Sequence, residues 1–168
     1  MKIISGELAL SMIVQDYLIT EKTIALFPAK QIEYNTIIYE EHNTLLTKET
    51  TLELIEKACL NYGSTYGGRR KSVMHRTGYR RLVPIPISIS RDIYAFPTHS
   101  PKHYECAWIF LDHIDFWKAN RDSQETTIVF KNGKSLVVDV SEHVIQKQVQ
   151  RTANCRFIFS DHSYLDLW

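Results

Sequence analysis

The sequence predicts an α+β protein, predominantly antiparallel β-sheet with two main helices and room for a short third. Three features point there. Apolar residues alternate at period two along much of the chain, a capping box marks one helix start, and an Asn-Gly pair separates two apolar runs.

The elements follow in order. Tyr17 to Phe27 holds two short apolar runs around Glu21-Lys22 and reads as a hairpin. Tyr34–Glu40 and Thr44–Thr47 read as further strands. Thr50 with Glu53 three residues on is the capping box, and Leu52, Ile55, Cys59 and Tyr62 follow at helical spacing up to Gly63. Beyond Gly63 the chain turns basic and reads as irregular. Val83, Ile85, Ile87 and Ile89 alternate with Pro84, Pro86, Ser88 and Ser90. Prolines cannot donate to a ladder, so this is an edge strand.

Ile93–Pro97 and Ala107–Trp117 are the next strand candidates. Residues 127–130 and 136–138 flank Lys131-Asn132-Gly133-Lys134, a hairpin expected to turn through type I′. Ser141 is the expected N-cap of the second helix, with Glu142 in its first turn and Ile145, Val149 and Thr152 as its apolar stripe.

At 168 residues and 44% hydrophobic content, one domain over 1–168 is expected rather than a disordered chain. No run reaches the roughly 18 apolar residues of a membrane span. The start at Met1 makes a poor secretory signal because Glu7 interrupts it, and three widely spaced cysteines do not read as a disulfide framework. A reduced cytoplasmic protein, associated with the nucleoid and not with a membrane, is the expectation.

The net charge of +1 conceals an asymmetry. Residues 57–91 carry eight basic side chains and no acidic one, against 4 basic and 9 acidic in 1–56 and 8 and 10 in 92–168. Arg69, Arg70, Lys71, Arg76, Arg80 and Arg81 fall within 13 residues, accompanied by Gly67, Gly68, Gly78, Tyr66 and Tyr79. Such a set suits phosphodiesters: cations meet phosphates, and glycines let backbone N–H groups approach. Arginine predominates, and its planar, weakly hydrated fork suits a narrow minor groove. These six, with Lys147 and Arg151 from the second helix, are the expected DNA-binding surface. Arg69 and Arg70 are expected to act there without bearing on stability.

No nucleotide cofactor is expected, because the glycines match neither phosphate-binding fingerprint and follow a helix. Two other readings compete. One is a metal-dependent phosphodiester enzyme using His99, His103, Cys106 and Asp112, whose first three residues have zinc-ligand types. The other is a non-catalytic module whose basic segment grips an acidic protein.

Several segments, taken together and in order, match a known family. They are Thr23-Ile24-Ala25-Leu26-Phe27-Pro28, Tyr62-Gly63-Ser64-Thr65-Tyr66-Gly67-Gly68-Arg69, Phe96-Pro97-Thr98, Cys106-Ala107-Trp108-Ile109, Phe130-Lys131-Asn132-Gly133-Lys134 and Gln148-Val149-Gln150-Arg151-Thr152-Ala153. Over roughly residues 20–158 the chain resembles the competence transcription factor (ComK) family. The resemblance implies a bacterial regulator, not an enzyme, that activates DNA-uptake genes. It implies binding to AT-rich promoter boxes of double-stranded DNA through the minor groove, with self-association on DNA. Arg69, Arg70 and Arg151 fall within the matching motifs. Familiar members continue into a charged tail, whereas this sequence stops at Trp168. The resemblance therefore implies a short member, and recognition by adaptor-protease machinery depends on that tail.

Overall fold

A computed structural model describes residues 12–160. Met1–Glu7 and the end at Trp168 lie outside the described residues. The strands are β1 (Met12–Ile13), β2 (Thr23–Pro28), β3 (Thr36–Glu40), β4 (Thr44–Thr47), β5 (Ile85–Ser88), β6 (Ile93–Pro97), β7 (Trp108–Phe110), β8 (Ile114–Ala119), β9 (Thr126–Phe130) and β10 (Ser135–Val138). The helices are α1 (Thr51–Asn61), α2 (Tyr66–Thr77) and α3 (Glu142–Ser160). One sheet runs β1-β4-β3-β2-β7-β6-β5, antiparallel except for the β1–β4 pair, and a second runs β10-β9-β8. The architecture is the expected α+β, mostly antiparallel.

The central strands bury side chains on both faces, which fixes three layers. Leu26, Ile38, Ala95, Trp108 and Phe110 point toward α1 and meet Leu54, Ile55, Ala58 and Cys59. The intervening residues Phe27, Ile37, Phe96 and Ile109 point the other way and meet Ile128, Phe130 and Val138 of the small sheet and Ile145 of α3. Period-two alternation makes this double packing possible. Each large side chain so buried contributes roughly 1.5–3 kcal/mol.

Local chemistry explains most boundaries. The Thr50 hydroxyl accepts from the Glu53 N–H at 3.2 Å, and the Glu53 carboxylate accepts from the Thr50 N–H at 3.4 Å, so α1 starts at the expected capping box. The Ser141 hydroxyl accepts from the Val144 N–H at 3.4 Å at the start of α3. β5, which contains Pro86 and follows Pro84, is an edge strand of the large sheet, as expected.

Four expectations need correction. Only the second half of the Tyr17–Phe27 hairpin is a strand. Tyr17 is buried through its side chain instead, its hydroxyl 2.7 Å from Thr23 Oγ1 and donating to Glu40 at 2.8 Å. The Ala107–Trp117 run is split by a single 3₁₀ turn, Leu111–His113, that carries the chain from one sheet to the other. At the Asn-Gly hairpin only Gly133 has positive φ, 87°, and the Gly133 N–H donates to the Phe130 carbonyl at 2.8 Å. That is a three-residue loop with a bulge, not type I′. The fourth correction concerns the basic segment, which forms α2.

Candidate nucleic-acid interface

The segment expected to be irregular forms a 12-residue helix with good ends. The Thr65 hydroxyl accepts from the Gly68 N–H at 2.9 Å, and Gly78, at φ 77°, supplies the left-handed stop. Of its side chains only Val73 is fully buried, packing with Val83, Tyr94 and Cys155. Gly67, Gly68, Lys71 and His75 form its exposed face, and the remainder are half-buried, Arg69, Arg70 and Arg76 included.

Its cations do not all reach solvent. Arg69 donates to the carbonyls of Tyr62 at 2.9 Å, Pro86 at 3.0 Å and Cys59 at 3.3 Å. Two of those carbonyls end α1, which has no basic residue in its own last turn, so Arg69 serves as its cationic cap. The guanidinium staples α1, α2 and β5 together and is not presented to a ligand.

Arg151 behaves alike. It donates to the Arg81 carbonyl at 2.9 Å and to Gln148 Oε1 at 3.2 Å, and lies 4.1 Å over the Tyr79 ring. Burial pulls its pKa below the ordinary arginine value. Gln148, itself buried, donates to the carbonyls of Leu82 at 2.8 Å and Pro97 at 2.9 Å. α3 is thus welded to the loop following α2.

The remaining expected residues are presented. Lys71, Arg80, Arg81 and Lys147 are exposed, and Arg70 and Arg76 are half-buried along their stems. Arg70 reaches the Arg80 carbonyl at 3.5 Å, and Arg76 lies 4.9 Å from the Phe159 ring center. Lys147 stands one turn before Arg151 on α3, on the same side of the molecule as the loop that Arg151 touches. Nearby carboxylates are engaged elsewhere: Arg156 pairs with Asp92 at 2.8 Å and Asp112 at 3.3 Å.

The family model described as ComK protein matches residues 14–164. The chain belongs to that family. The competence transcription factor of Bacillus subtilis (strain 168) is 29% identical to it over 155 residues, covering 88% of this chain and 77% of that protein. No solved structure matches.

In this ComK family member the metal-site residues are not assembled. The Cys106 thiol is buried 3.3 Å from the His99 carbonyl, and burial pushes its pKa up to about 11. His99 Nδ1 is 2.8 Å from Thr98 Oγ1, its ring stacks on His103 at 5.2 Å, and Asp112 is held by Arg156. Among the described residues no three His, Cys, Asp or Glu side chains are grouped to hold a metal ion. No helix among them is long and apolar enough to cross a membrane.

Sequence reasoning missed the structural roles of Gln148, Tyr79 and Asn154, which join α3 to the loop after α2. Gln148 had a signal: it lies at helical spacing between Ile145 and Thr152, on the apolar stripe itself. Tyr79 and Asn154 had none, because the 3.0 Å bond joining them spans 75 residues.

Proposed function

We propose that this ComK family member is a competence transcriptional regulator that binds AT-rich promoter boxes of duplex DNA through the minor groove. It is a non-enzymatic regulator. Self-association on DNA, a nucleoid-associated cytoplasmic location and recognition by adaptor-protease machinery belong to the same reading.

One observation carries it. Lys71, Arg80, Arg81 and Lys147 are exposed on α2, its following loop and α3, Arg70 and Arg76 are half-buried, and among the described residues none of the six forms an ion pair. Charges left unpaired on a surface repel one another and favor a polyanion. A-tract DNA offers the deepest minor-groove potential, and arginine is the side chain best shaped to enter it.

Titration of an A/T-box duplex and a G·C-rich duplex at several salt concentrations tests the proposal. The A/T duplex is expected to bind more tightly, with log affinity falling against log salt at about 0.9 per phosphate neutralized. Equal affinity for both duplexes, or affinity indifferent to salt, refutes it.

A further inference from the structure

The loop after α2, Gly78 to Leu82, has no ladder partner, yet its backbone is held at several points. Gly78 N–H donates to Met74 O at 2.9 Å, and Tyr79 N–H donates to the Thr77 hydroxyl at 3.1 Å. The next three carbonyls are each reached by a different side chain. Arg80 O accepts from Arg70 at 3.5 Å, Arg81 O from Arg151 at 2.9 Å and Leu82 O from Gln148 at 2.8 Å. The Tyr79 hydroxyl accepts from Asn154 at 3.0 Å, and Leu82 sits at φ 48°, the left-handed region. An ordinary surface loop leaves its carbonyls to water. Here donors of α3 claim two in succession, Arg70 of α2 stands at the limit of reach of a third, and a leucine is held where glycine is favored.

This arrangement does two things. It occupies the Arg81 and Leu82 carbonyls with donors of α3, which neutralizes acceptors that would otherwise repel an approaching phosphate. It also fixes the backbone beneath Arg80 and Arg81, so their insertion carries little ordering cost. The Arg81 side chain has no partner among the described residues, and Arg80 makes one exposed bond to Met74 O at 3.4 Å, near the limit of a hydrogen bond. Both are exposed.

We infer that Gly78–Leu82 is the element that enters the DNA groove. Arg80 and Arg81 are the inserted pair, and Arg70, Gln148 and Arg151 are positioning residues that hold its backbone. The inference rests on the DNA-binding reading above and adds which residues discriminate. Lys71 and Lys147, at the flanks, bind phosphate without regard to sequence.

Three duplexes with A·T, inosine·C or G·C pairs at the box positions test this. Inosine·C shows the minor groove of A·T and the major groove of G·C. The wild-type chain is expected to bind inosine·C within about 3-fold of A·T, and G·C at least about 10-fold more weakly. The Arg80→Ala/Arg81→Ala variant is expected to lose at least about 10-fold on A·T, so that its A·T to G·C ratio approaches one. Lys71→Ala should weaken all three duplexes evenly.

Arg151→Lys keeps the charge but not the flat guanidinium, which lies over the Tyr79 ring and whose Nη1 donates to both Arg81 O and Gln148. It is expected to lower the A·T to G·C ratio while the salt slope stays at the wild-type value. If the wild-type chain discriminates and the double alanine variant discriminates equally, this inference is overturned while the DNA-binding reading stands. If the wild-type chain does not discriminate, that reading fails. If inosine·C binds like G·C, groove entry from the minor side is excluded.

Discussion

Arg69 and Lys71 are two residues apart in one helix, with a guanidinium directed inward and an ammonium directed out. Arg69 donates to three backbone carbonyls, two at the end of α1 and one in β5; its truncation leaves those of Tyr62 and Pro86 without a side-chain donor, while Cys59 O keeps the N–H groups of Tyr62 and Ser64. A net charged hydrogen bond contributes about 1.5–3 kcal/mol, and orphaned acceptors add to the loss. Arg69→Ala is therefore expected to destabilize the fold by about 2–4 kcal/mol. Lys71→Ala should stay within about 0.5 kcal/mol. Urea unfolding of both variants checks this, and equal midpoints would contradict the cap. Arg69 thus departs from its expected place on the DNA surface. A charge count cannot separate the two residues, because what distinguishes them is a set of carbonyls 7, 10 and 17 residues away.

At the scale of elements, legibility followed locality. The α1 cap, the Ser141 start of α3, the edge strand with its prolines and the Asn132-Gly133 hairpin are encoded within a few residues and stood out in the sequence. α2 did not, because one buried side chain in twelve gives no apolar period and two glycines sit in its first turn. The passage from β7 to β8 was hidden for the opposite reason: the apolar run continues across it while the sheet changes. The candidate interface was legible as composition, not as geometry. The β9–β10 turn yields a test of its own. Gly133 lies at φ 87° with open space around it, so strain alone opposes a side chain there. Gly133→Ala is expected to destabilize by about 1 kcal/mol with the fold retained, read by thermal unfolding. A neutral result would mean that the turn readily changes type.

Over the whole molecule, the cysteines report how the layers close. Cys59 and Cys106 lie in the apolar layer under α1, and Cys155 lies in the cluster joining α2, α3 and the sheet. Burial pushes each thiol's pKa up to about 11. At pH 8 all three are expected to resist iodoacetamide in the folded protein and to react together in denaturant. Labeling of any one under native conditions would show that its cluster opens separately. The uneven charge has the same global character. A total of +1 arises because the carboxylate-free segment and the acidic remainder cancel, which leaves one side suited to a polyanion. β5 completes the picture, as the edge strand that packs against α2 and α3. Pro84 and Pro86 offer no N–H, and the Pro86 carbonyl is already held by Arg69. A second molecule approaching this edge thus finds fewer free backbone groups for strand addition, which protects it against edge-to-edge aggregation.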